Sequence, residues 1–124
     1  MTVFERGHKV NFIDENNVFV GYDMSQCCCE DADWFIPDEI LDRVPEVRSK
    51  PQEFVGMEGW AFDTRFFHEV PDNPGVYDGG GMVVFRMING DREQFLHLYN
   101  IHNGYYGHGF EFLKDGETIR EGCL

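Results

Sequence analysis

The sequence predicts a mainly β, antiparallel domain: a sandwich or curled half-barrel of about seven strands, with one short helix giving it a minor α+β character. Three observations predict this. Phe, Tyr and Trp make up 15% of the 124 residues, and aromatic side chains suit the half-buried pleated surface of a strand. Short stretches alternating apolar with polar residues recur along the chain. Between them stand Asn89-Gly90-Asp91, Asn103-Gly104 and Asp115-Gly116, which supply the positive φ that tight hairpin turns require.

Taken in order, His8 to Ile13 alternates, with Val10 and Phe12 on one face and Lys9 and Asn11 on the other. Asp14-Glu15-Asn16-Asn17 is a turn, and Val18 to Tyr22 reads as the returning strand of a hairpin. Pro37 to Val44 is the predicted helix. Pro37 suits a first helical turn, Asp38 and Glu39 complement the N-terminal dipole, and Ile40, Leu41 and Val44 form an apolar stripe. Pro45 ends it. Residues 46 to 59 read as a connecting loop. Trp60 to Phe66 is a strand with Trp60, Phe62 and Phe66 inward, and Pro71 to Gly81 is a turn-rich loop ending in three glycines. The last third predicts a four-stranded meander: Met82–Ile88, Gln94–Ile101, Tyr105–Leu113 and Thr118–Cys123. A single domain over 1–124 is expected, since no repeat and no long linker divides the chain.

Composition narrows the function classes. The chain has 23 Asp plus Glu against 10 Lys plus Arg, a formal net charge of -13. A field of that sign repels nucleic acid and anionic membranes, so neither is an expected partner. It favours basic proteins or cations as partners, and it equally serves simple solubility. No apolar stretch approaches the length of a membrane span and no leader pattern is evident, so a cytoplasmic location with reduced thiols is expected. No cofactor is expected, and no oligomeric state follows from the residues.

The densest local signal is Cys27-Cys28-Cys29, followed by Glu30-Asp31-Ala32-Asp33 and Trp34. Zinc is usually held by thiolates in a C-x2-C knuckle. Adjacent cysteines on an extended chain alternate faces, so at most Cys27 and Cys29 point together, with His97 a possible third ligand. No second knuckle exists, and a reduced, packed segment is the favoured reading. The flanking acids raise a thiol pKa, which disfavours a nucleophilic cysteine. The acids themselves lack the spacing of a calcium loop and read as a solvated turn.

His97, His102 and His108 gather in the predicted meander, with His102 and Tyr105 paired across Asn103-Gly104 and Tyr106 sharing a face with His108. Such a surface could bind a partner. Acid–base catalysis by one of these histidines needs a carboxylate such as Glu30 or Asp31 brought close in space.

Gly21-Tyr22-Asp23, Cys28-Cys29-Glu30 with Trp34, and Asn103-Gly104-Tyr105-Tyr106 together resemble a group of small bacterial and phage-associated proteins. That group carries a Cys-Cys-Glu segment, a following Trp and a C-terminal Asn-Gly-Tyr-Tyr hairpin. The resemblance implies one domain in which the Cys segment and the meander pack together, and no activity.

The expected function is therefore that of a small acidic protein that binds and neutralises a basic partner, as an immunity protein or inhibitor neutralises a toxin. Its expected binding residues are Glu30, Asp31, Asp33, Trp34, His102, Tyr105, Tyr106 and His108. A Cys/His metal or redox domain, and an enzyme using the histidines, are the alternatives.

Overall fold

The computed structural model describes residues 1–25, 31–48, 50, 57–70, 80–101 and 108–124. Among these the protein is all β. Its strands are β1 (Thr2–Arg6), β2 (Lys9–Ile13), β3 (Val18–Asp23), β4 (Asp31–Phe35), β5 (Ala61–Phe62), β6 (His68–Glu69), β7 (Gly80–Asn89), β8 (Arg92–Ile101), β9 (Gly109–Lys114) and β10 (Glu117–Cys123). They form two antiparallel five-stranded sheets. The first runs β1-β2-β3-β9-β10; the second runs β4-β8-β7-β5, with β6 also paired to β7. The mainly β, sandwich-like expectation holds.

Turn chemistry sets the hairpins. Asp115 and Gly116 both take positive φ, 51° and 80°, the type I′ geometry that matches strand twist. Gly90 alone is positive in the β7–β8 turn, at 63°, and there Asn89 pairs with Arg92. The turn after β2 is built by Asp14, whose Oδ1 accepts the N–H groups of Asn16 and Val18 at 2.9 Å each. Its Oδ2 accepts the N–H of Phe62 at 2.9 Å. One buried carboxylate therefore finishes a turn in the first sheet and ties it to β5 of the second.

The core lies between the sheets. Val10, Phe12, Val20, Tyr22 and Phe112 from the first meet Trp34, Val83, Phe85, Leu96 and Leu98 from the second. Rings of Phe12 and Trp34 meet edge to face at 5.0 Å, as do those of Phe85 and Phe112. The Tyr22 hydroxyl donates to the Tyr99 carbonyl across the interior at 2.7 Å. A second apolar cluster covers the opposite face of the second sheet, with Phe35, Val70, Met82, Val84, Phe95, Tyr99 and Ile101. Burial on both faces explains why β8 is buried without a break from Phe95 to Ile101 and mostly apolar there, with His97 and Asn100 as its polar members, instead of alternating.

Several expectations are corrected. Residues 37–44 are not helical. The first hydrogen bond of that helix would join the Leu41 N–H to the Pro37 carbonyl. Both groups are taken by the second sheet instead: Phe95 N–H donates to the Pro37 carbonyl at 2.9 Å, and Leu41 N–H donates to His97 Nε2 at 3.0 Å. Seven residues between two prolines cannot offset the cost of helix nucleation against such partners. The four-stranded meander divides into two hairpins, because β4 occupies the edge of β8 and β3 occupies the edge of β9. Strand β1 extends the predicted N-terminal hairpin. The Trp60 strand shrinks to Ala61–Phe62; Phe66 turns to the outer cluster, while Phe67 packs on the sandwich core. Gly80 and Gly81 open β7 and are not a loop end.

Candidate functional site

Of the predicted binding residues, the four described, Asp31, Asp33, Trp34 and His108, do not form one surface. Asp31 and Asp33 lie in β4, not in a solvated turn. Each holds a cation from the segment that follows: Arg48 Nη2 reaches Asp31 Oδ2 at 2.7 Å, and Lys50 Nζ reaches Asp33 Oδ1 at 2.7 Å. Trp34 is a core side chain on the inner face of β4, not a surface anchor. His108 is buried just ahead of β9, at the end of the first sheet, where its Nδ1 lies 2.9 Å from the Asp23 carbonyl. Glu30, His102, Tyr105 and Tyr106, and the potential ligands Cys27 and Cys29, lie outside the described residues. Among the described residues no three His, Cys, Asp or Glu side chains form a metal-binding group.

His97 is fully buried on the outer face of β8, and the phenyl ring of Phe35 stacks on it at 4.6 Å. Because Nε2 accepts the Leu41 N–H, the ring proton sits on Nδ1, which donates to the Phe95 carbonyl at 3.0 Å. Burial lowers its pKa to about 4. Both nitrogens are occupied by backbone, so His97 is a structural, neutral imidazole. Tyr99 shares its face. Burial raises the phenol pKa well above its ordinary value, and the neighbouring carboxylate of Asp31 adds to the rise.

What covers this face is the segment 36–48, a strap laid across the second sheet. Leu41 and Val44 turn down onto the outer cluster, and the Arg48 guanidinium lies 5.3 Å from the centre of the Tyr99 ring. The outward side is different in kind. Ile40 is 43% exposed and Val47 84% exposed, and around them Asp38, Glu39, Asp42 and Glu46 are exposed. Two of the three exposed large hydrophobics among the described residues thus stand on one acidic segment; Phe4 is the third.

A second, open surface lies on the outer face of the first sheet. It is a shallow groove of about 730 Å³ bordered by His8, Asp23, Glu111, Glu121 and Cys123. Lys9 lies along one side of it, passing with Phe19 directly over Gly21, where a side chain would collide with both, to pair with Glu111. The Ser25 N–H, 2.9 Å from Oδ1, holds the Asp23 carboxyl below the usual value.

Basic side chains are largely committed to internal contacts. Lys9, Arg43, Arg48, Lys50 and Arg86 enter ion pairs, while Arg92 and Arg120 lie over the rings of Trp60 and Phe67. The surplus acids are therefore what the surface presents. Sequence reasoning missed the strap because Ile40, Leu41 and Val44 share a face only in a helix; in the bent, non-helical strap Ile40 is exposed while Leu41 and Val44 pack on the sheet. The flanking prolines were the available sign.

No protein-family model, curated protein or solved structure matches the chain. Among the described residues no helix is long and apolar enough to cross a membrane.

Proposed function

We propose that this protein binds and neutralises a basic protein partner, in the manner of an immunity protein or inhibitor, and that the strap 36–48 is its recognition surface. The observation that carries the reading is the pairing of exposed Ile40 and Val47 with Asp38, Glu39, Asp42 and Glu46 on a segment braced by a buried sheet. Apolar anchors ringed by charge suit an interface whose centre is desolvated while its rim steers the partner. The net charge of -13 speeds encounter with a basic surface. A braced strap also loses little conformational entropy on binding.

The test uses a basic amphipathic peptide, lysines on one face and leucines on the other, and an acidic counterpart. The basic peptide is expected to bind, more weakly as salt is raised. The double substitution Ile40→Ser with Val47→Ser should weaken it by about tenfold or more, roughly 1.4 kcal/mol. Glu121→Gln, on the opposite sheet, should leave binding unchanged. Equal binding by the strap variant, or equal binding of the acidic peptide, would overturn the reading.

A further inference from the structure

The strap is tied down at three points. At its start the Phe95 N–H donates to the Pro37 carbonyl, and at its end Arg48 pairs with Asp31. Between these, the polar tie is the Leu41 N–H donated to His97 Nε2. We propose that His97 is a proton-operated latch for the middle of the strap: neutral, it holds residues 38–47 in place, and protonated, it releases them and disables partner binding. The consequence for binding rests on the strap being the recognition surface; the latch itself does not.

The geometry supplies the mechanism. Nδ1 already carries the ring proton and donates to Phe95, so the next proton, taken from solvent, must enter at Nε2. That converts the acceptor of the Leu41 N–H into a donor facing a donor. The two end ties involve neither ring nitrogen, so the release is local. The groups around the ring favour no compensating charge pair. From β4 it meets the Phe35 ring; Asp33, two residues along, is held by Lys50. From β7 its neighbour is Val84; Arg86, two residues along, is held by Asp63 and Glu93. On the strap, Asp42 and Arg43 pair with each other in solvent. His68, on β6, acts on the ring as a like charge. Burial is what holds the ring neutral, down to a pKa of about 4.

Amide hydrogen exchange read residue by residue tests this without any partner. Between about pH 7 and about pH 4.5, corrected for intrinsic chemistry, the Leu41 amide should lose roughly tenfold or more of its protection. Leu98, paired on both sides within the sheet, should stay better protected than Leu41 throughout, losing only what the fall in global stability takes from it. His97→Gln retains an acceptor that does not titrate in this range, and its Leu41 protection should stay level. A ring titration of His97 in the unaltered protein, read by nitrogen chemical shift, should share its onset with the loss at Leu41, which keeps the test open if the variant folds poorly. The latch is overturned by level Leu41 protection in the unaltered protein, by the same pH response in His97→Gln, or by Leu41 opening only together with Leu98. Such a failure leaves the peptide-binding result standing, and failure of peptide binding leaves the latch standing.

Discussion

Asp14 carries more of the architecture than any other polar side chain described. Its carboxylate accepts three backbone N–H groups, two in its own turn and one from Phe62, and it is 6% exposed. Asp14→Ala strands three donors beside the core, and its expected cost is about 3 kcal/mol in denaturant unfolding. A loss within a few tenths of a kcal/mol would show that water replaces the carboxylate. His97 gives stability a pH dependence of known sign. Its folded pKa of about 4 lies below the unfolded value near 6.5, so the unfolded chain binds the proton more readily. Its stabilising contribution is complete above about pH 6.5 and is lost as pH falls toward 4, about 3 kcal/mol in all. Denaturant midpoints of the unaltered protein should fall more steeply over that window than those of His97→Gln; parallel profiles would contradict the assignment.

Hairpins and strap were unequally legible before the structure. The tight turns could be placed because a positive φ has a residue signature that acts locally: Asp115-Gly116 and Gly90 fall where it requires. Gly116→Ala, at φ 80°, should cost about 1 kcal/mol in thermal unfolding without altering the strap. The strap had no such signature. Its dipole-complementing acids, N-terminal proline and apolar triplet are all helix features, and they lost to two hydrogen bonds from a strand more than fifty residues away. Ile40→Ser and Val47→Ser should each change stability by no more than about 0.5 kcal/mol, whereas Leu41→Ala, which truncates a side chain packed on the outer cluster, should cost roughly 1–2 kcal/mol. Similar losses for Ile40 and Leu41 would mean that the strap is not sided as described.

Across the protein as a whole, charge and core pull in opposite directions. An excess of 13 acidic groups repels itself in the folded state, and solvent-exposed ion pairs recover little of that. Added salt should therefore raise the melting temperature at neutral pH, since screening relieves repulsion more than it weakens the ion pairs. A melting temperature that falls with salt would show that Arg48–Asp31, Lys50–Asp33 and Arg86–Asp63 matter more than their partial exposure implies.

Period-two alternation and turn residues were enough to establish a mainly β antiparallel domain, several of its hairpins and the inward faces of Val10, Phe12 and Phe62. These are local properties, set by how each residue and its neighbours fit a pleat or a turn. Which hairpin joined which sheet was not local: β4 and β3 took the edges that a meander would have used. Nor could spacing show that Trp34 faces the core, that Asp31 and Asp33 face Arg48 and Lys50, or that Ile40 and Leu41 part company. Those outcomes depend on the second sheet being buried on both faces, because only a covered face gives the Pro37 carbonyl and the Leu41 N–H better partners than each other.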